Sequence, residues 1–533
     1  MLSRCVLFLS GPLLALARRN WQAEKTRVSI RPRIKFLEKN VRRSGALSLA
    51  LLACIVLTVL TLWSNSEMPA AAAQSPKIVR SSVPTASVAG LKPAELPAPV
   101  VAPPGTELYA AKRGDSVGSL ARRYLKRTSY LTSTELAEAI RKTNGNRAGN
   151  NLKTGEQIIV PGILPAPIVE KSIPVAKDFE VRAIYLTGVM AGSDHGIRII
   201  RHWREVGGNA VVFDIKDSDG SVNIAFDHPL AGRQHIYIRD LPKFTRFLHS
   251  QGMHAIARIA IFRDQRLVET HPELAVKSHR TGQPWRENGK LVWTDTSNPK
   301  VQEYNIALAK YVADSGIDEI QFDYVRFPAE GDQKDASFGF QTEHPKWQRS
   351  EVITDFLKHA YEELHPKGVL LSLDVFGVMA WQRPVDLSHT GQDIVGMAKY
   401  CDVLSPMIYP SHFFGMDGYA RPGDAPEHFI GESMARFKLI TKDGNAVIRP
   451  WLQAFRWKTK TYSPEYIETQ VRVSKEKGGV GFLFWNAGND YSKPYTAMPL
   501  MRGAKEKYFR GDELPPVASA PATAAAIPAG GSH

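Results

Sequence analysis

From Val181 onward, short apolar runs recur along the chain, each followed by a stretch with helical spacing of its apolar residues. The runs are Val181–Thr187, Ala210–Ile215, His254–Ile261, Asp318–Asp323, Val369–Asp374, Asp402–Tyr409, Val447–Gln453 and Gly481–Trp485. Short apolar runs bounded by turn signals read as buried strands. Eight strand-helix repeats in about 330 residues predict an α/β fold, a parallel (β/α)8 barrel over residues 178–512. An open doubly wound sheet calls for a G-x-G-x-x-G loop after its first strand. Gly188-Val189-Met190-Ala191-Gly192 does not supply one, which argues against a nucleotide site.

A smaller pattern precedes the barrel, over residues 106–163. Tyr109-Ala110-Ala111 reads as a strand, and Gly114-Asp115-Ser116 as a turn into a helix capped by Asp115 or Ser116. Val117, Leu120, Ala121 and Tyr124 follow helical spacing, and a second helix is predicted over Thr134–Lys142. A second strand, Gln157–Val160, stops at Pro161. This βααβ order, with Gly114-Asp115-Ser116, Asn144, Leu152, Gly155 and Ile159–Pro161, resembles the LysM domain, with a longer middle at KRTSYLTSTELA. The resemblance implies binding to GlcNAc-containing glycans such as peptidoglycan.

The N-terminal region reads differently. Ala46–Trp63 carries no charge, and its helix would rise about 27 Å, close to the hydrocarbon thickness of a bilayer. Residues 1–45 are basic: eleven Lys and Arg stand against Glu24 and Glu38. They hold most of the formal net charge of +15, so the charge speaks for membrane topology and against nucleic acid. The expected arrangement is a single-pass signal anchor in the inner (plasma) membrane. Its N-terminus is cytoplasmic and everything after Trp63 is periplasmic or extracellular. Cleavage within Ala70–Ala73 is the alternative. Residues 64–105 form a Pro/Ala-rich linker, and 513–533 a tail of similar composition expected to be disordered. Of three cysteines only Cys401 falls in the exported part, where it is expected to be a buried thiol. No metal-ligand spacing is visible, and no cofactor is expected.

Barrel chemistry sits at the C-terminal ends of the strands, and alternation says which side chains point inward. In GIDEIQFDYVRFP, Ile320 and Phe322 share the helix-facing side, so Asp323 points into the mouth, with Tyr324 and Arg326 just behind. The same test places Asp214 inside, with Lys216 and Asp217 above it, and puts Arg258 and Asp374 on inner faces. It also brings Tyr409, His412, Gln453, Trp485 and Asn486 to the rim. Glycosidic cleavage needs two carboxyl groups, while aromatic faces stack on sugar rings. Asp323 and Asp374, on adjacent strands, are the expected catalytic pair, with Asp217 in reserve. The other rim residues are expected to bind substrate.

Five motifs, VRAIYLTG, VVFDIKDSDG, ARIAIFRD, IDEIQFDYVRFP and LSPMIYPSHF, together resemble an uncharacterised family named "putative glycosyl hydrolase". More distantly they are similar to α-amylase-like and α-galactosidase-like barrels, whose fourth strand ends in the nucleophilic Asp. That likeness implies that Asp323 is the nucleophile and leaves the second acid open. The resulting expectation is a membrane-anchored glycoside hydrolase acting on a cell-wall or exported polysaccharide. The rival is a non-catalytic glycan-binding scaffold between membrane and wall.

Overall fold

The structure, a computed structural model, describes residues 102–146 and 149–510. The basic stretch 1–45, the apolar segment Ala46–Trp63, most of the linker and the tail lie outside the described residues. Among the described residues no helix is long and apolar enough to cross a membrane.

The small unit is built as its pattern requires. Strand β1 (Thr106–Ala110) pairs antiparallel with β2 (Gln157–Pro161). Helix α1 (Val117–Tyr124) and helix α2 (Ser133–Thr143) lie between them in sequence. Ser116 caps α1, its hydroxyl accepting from the Ser119 amide and relieving a donor left unpaired at the helix start. Asn144 ends α2 and ties it to β2. Its amide donates to Ile140 O and Ile159 O, each at 2.8 Å, and its oxygen accepts from Ile159 N. Val117, Leu120, Leu136, Ile140, Ile158 and Val160 form the buried core.

All eight expected strands form the large unit. They are β3 (Arg182–Leu186), β4 (Ala210–Lys216), β5 (His254–Ala260), β6 (Glu319–Asp323), β7 (Leu370–Phe376) and β8 (Val403–Ile408). A split β9 (447–453) and β10 (Phe482–Trp485) complete the set. Neighbours pair in parallel in chain order, and β10 closes onto β3. The split in β9 falls at Arg449-Pro450, where proline has no N–H to give the ladder. Helices α3 (Asp194–Glu205), α4 (Leu241–Ser250), α5 (Pro299–Ala313) and α6 (Arg349–Leu364) follow the first four barrel strands. Two short helices follow β7. Helices α7 (Pro426–Ile440), α8 (Pro464–Glu476) and α9 (Ser492–Gly503) follow the last three strands. Ile320, Phe322, Leu371 and Leu373 pack outward on these helices, and Cys401 is buried. The alternation reading of β6 and β7 therefore holds.

The N-terminal end of the barrel is closed by charge rather than by apolar side chains alone. Glu319 accepts from Arg449 at 2.8 and 3.0 Å and meets His254 at 3.1 Å, all three fully buried. Beneath them runs the segment joining the two units. Its Glu170 meets His249 at 2.9 Å, His249 meets Asp318 at 3.1 Å, and Asp318 accepts from Ile173 N at 2.7 Å. The small unit is fastened to the barrel separately. Lys243 on α4, almost wholly buried, donates to Leu125 O at 2.9 Å, and Arg201 on α3 reaches Glu135 at 3.2 Å.

Candidate active site

Side-chain contacts gather Asp214, Arg258, Asp323 and Asp374 into one layer near the C-terminal end of the strands. Arg258 stands opposite Asp214 on β4 and is flanked on its other side by β6, while Asp374 stands across from Ser405. Arg258 is the hub. Its Nη1 donates to Asp214 Oδ1 at 2.5 Å, and its Nη2 and Nε donate to Asp323 Oδ2 at 2.5 and 3.2 Å. Asp374 Oδ2 lies 3.9 Å from the same Nε. Both carboxylates therefore face one nitrogen, Asp323 within hydrogen-bond distance and Asp374 within ion-pair distance.

The three acids sit in different surroundings. Asp323 has the most access, its side chain 10% exposed, against 1% for Asp374 and 0% for Asp214. Its other oxygen accepts from the Tyr324 amide at 2.6 Å. Burial and the neighbouring Asp323 carboxylate push Asp374 well above the usual carboxylate range, with Arg258 opposing, while the Trp451 indole donates to Asp374 Oδ1 at 2.6 Å. Burial lifts Asp214 to about 7, against the pull of Arg258, and Tyr185 donates its hydroxyl to Asp214 Oδ2. Two kinds of carboxyl group, one ion-paired and the more exposed, the other pushed toward its neutral form, are what general acid chemistry beside a charged partner requires.

Aromatic rings frame this layer. Tyr185 stacks on Trp485 at 4.1 Å, Trp451 meets Trp485 edge-on at 5.5 Å, and Arg258 lies over both Trp485 and Tyr185. Tyr409, His412, Phe455 and Trp457 continue the rim, and burial with the nearby Lys458 pushes His412 down to about 4. Phe455 was not singled out from sequence. It lies past the end of β9, where strand alternation no longer applies.

Several expected rim residues prove to be braces. Lys216 is corrected outright. Asp214 pairs with Arg258 but Lys216 with Ile259, two residues against one, and this bulge turns Lys216 to the helix side. There it is fully buried, with Asp264 at 2.7 Å and Asn305 at 2.9 Å, away from any substrate. Gln453 spends both ends of its amide on loop backbone, at Ser411 N and Phe455 O. Asn486 holds Ala454 O, Asp490 O and Gly488 N. Asp217 is half-buried, and its charge reaches Asp214. Tyr324 adopts φ 55°, an uncommon left-handed conformation for a bulky residue, directly after the acid it supports.

Two surface concavities lie apart from the acids. One of about 630 Å³ lies between α2 and α4, and one of about 570 Å³ between the loops after β6 and β7. Among the described residues no group of three or more His, Cys, Asp and Glu side chains is arranged to hold a metal ion.

A closed parallel barrel whose mouth carries clustered carboxylates and aromatic faces has the layout of a sugar-processing enzyme. Residues 183–491, more than half of the chain, match the family described as "Putative glycosyl hydrolase domain", and the chain belongs to that family. Its enzyme class is glycoside hydrolase. No curated protein matches the chain. Among solved structures, it is similar to a hypothetical protein from Ruminiclostridium thermocellum, at 37% identity over 36% of this chain and 97% of that one, with a TM-score of 0.33. It is also similar to the PgaB (BpsB) glycoside hydrolase domain from Bordetella bronchiseptica, at 14% identity, 60% and 98% coverage and a TM-score of 0.45. A third is the spore cortex-lytic enzyme SleL of Bacillus megaterium, at 12% identity, 76% and 86% coverage and a TM-score of 0.37.

Proposed function

We propose that this chain is a membrane-anchored glycoside hydrolase that cuts a cell-wall or exported polysaccharide, with Asp323 as nucleophile and Asp374 as general acid and base. The observation that carries the reading is the pair itself. Asp323 is ion-paired and the most exposed of the three acids, and it raises the proton affinity of Asp374 next to it. In the first step the Asp323 carboxylate bonds to the anomeric carbon as the glycosidic C–O bond breaks, and the Asp374 proton passes to the leaving oxygen. In the second, Asp374 takes a proton from water, whose oxygen attacks the anomeric carbon and frees Asp323. Trp485 and Tyr409 offer stacking faces to the sugar.

The other parts of the reading rest on sequence. The apolar segment Ala46–Trp63 would anchor the chain in the inner membrane, and the LysM-like unit would hold it on peptidoglycan. The βααβ order, the antiparallel β1–β2 pair and the role of Asn144 support that assignment.

The test is turnover of wall and exopolysaccharide preparations by Asp323→Asn, Asp374→Asn and Asp217→Asn variants. Unchanged hydrolysis by Asp323→Asn overturns the nucleophile assignment. Loss in Asp217→Asn but not Asp374→Asn moves the acid to Asp217. One observation favours a glycan-binding scaffold instead: Arg258 clamps Asp323, and Asp374 is almost fully covered. Glycan retention without product release would establish that reading.

A further inference from the structure

Arg326 is the charge in the mouth that the catalytic scheme does not use. It lies three residues beyond Asp323 and is 4% exposed. Its guanidinium is enclosed by three rings, 4.5 Å from Phe376, 4.7 Å from Trp293 and 5.4 Å from Tyr324. Phe376 shares the inward face of β7 with Asp374, one pleat higher, so Arg326 belongs to the layer directly above the acids. Among the described residues its one hydrogen bond runs from Nη1 to Phe327 O at 3.0 Å. Among the described residues no carboxylate comes within 4.0 Å of it; Glu287 and Asp323 act only at longer range. Arg263 also lies against Tyr324, its guanidinium 5.7 Å from the ring. It donates to Ser218 O and likewise has no carboxylate within 4.0 Å among the described residues.

A buried cation is normally matched by an acid, because losing water without a partner is costly. Here aromatic faces supply part of the compensation and leave the edge of the fork free. A guanidinium held flat between rings, with donors to spare, suits a planar anion bound through two parallel hydrogen bonds.

We infer that Arg326, assisted by Arg263, forms an anion subsite beside Asp323, and that the glycan bound there carries a carboxylate on the sugar next to the scissile bond. This deepens the reading of the mouth as a glycan site and rests on it. The carboxylate has two possible sources, a uronic acid or a lactyl ether on an N-acetylhexosamine.

The experiment is calorimetric titration of the full chain bearing Asp323→Asn, so that nothing is cut. Three probes are used: a hexuronate oligosaccharide, its carboxyl-reduced neutral counterpart, and an N-acetylhexosamine oligosaccharide with a lactyl ether. At least one acidic probe is expected to bind about tenfold or more tightly than the neutral one. Arg326→Gln is expected to erase that preference, and the tighter of the two acidic probes identifies the source. Arg326→Lys, which keeps charge but not the fork, is expected to retain part of it. Arg263→Gln, at a half-buried position, is expected to weaken the preference and serves if Arg326→Gln does not fold. Equal binding of acidic and neutral probes overturns the subsite and leaves the hydrolase reading standing. So does a preference that survives Arg326→Gln. Binding of none of the probes also overturns it, whereas the hydrolase reading stands or falls on the turnover of Asp323→Asn.

Discussion

The Trp451 indole N–H points at Asp374 Oδ1 from 2.6 Å. Among the described residues this is the one hydrogen bond that favours the charged form of an acid otherwise pushed toward its neutral form by burial and by Asp323. A general acid works while protonated, so activity falls as pH rises through its pKa. Replacing Trp451 with Phe removes the donor and raises the Asp374 pKa further. The alkaline limb of the pH–rate profile is expected to move to higher pH, and a limb that stays in place or moves down removes Asp374 from the acid role.

Asp374→Asn is expected to lower kcat by roughly 10²–10⁴-fold, the range general acid catalysis commonly supplies. Substrates with good leaving groups need little protonation, so an activated aryl glycoside should lose less. A uniform loss on both substrate types would point to a structural role.

Arg258 holds two acids in one layer, so its loss leaves both without a counter-charge. Arg258→Met is expected to cost about 3–5 kcal/mol of stability, the usual result of removing one partner from a buried ion pair. Denaturant unfolding measures it, and a cost near zero would mean that the two pairs with Arg258 contribute nothing net to stability.

Lys216 and Asp264 provide the contrast. Lys216→Met leaves Asp264 buried and unpaired, and a stability loss of similar size, about 3–5 kcal/mol, is expected. Because the bulge in β4 carries this pair away from the mouth, kcat and KM of the folded fraction should stay at wild-type values.

His249 gives stability a pH dependence. Burial works against its protonated form, but hydrogen bonds and charge from Asp318 and Glu170 outweigh burial and raise its pKa above the ordinary 6.5. A histidine raised on folding contributes stability that is fully present below 6.5 and is lost as pH rises through the folded value. Wild type should therefore lose stability from about pH 6.5 upward, and His249→Gln should flatten that slope in urea titrations. Parallel slopes in the two proteins would show that His249 is not the source.

The barrel was legible because each strand is a short apolar run and each crossover a helix, local signals that need no partner. Asp323, Asp374 and Arg258 followed from alternation alone. Lys216 did not, because a one-residue bulge reverses facing without leaving a mark in the hydrophobic pattern. Glu319 and Arg449 lie 130 positions apart, so no spacing announces their pairing. Gln453 and Asn486 lie at the ends of their strands, but their bonds to loop backbone become visible only once the loops have a shape. The isolation of Arg326 is of the same kind. A residue's type shows in the sequence, while the absence of a neighbour shows only in three dimensions.

The segment between the two units bears on mechanics. Glu170 and Ile173 are fixed beneath the cylinder through His249 and Asp318, and Lys243, on the same helix as His249, holds the small unit. A pull on the small unit therefore reaches the floor of the cylinder within a few bonds, with no slack stretch of chain to absorb it. An enzyme gripping its polymer by that unit would transmit tension in the polymer straight to the framework that aligns its acids.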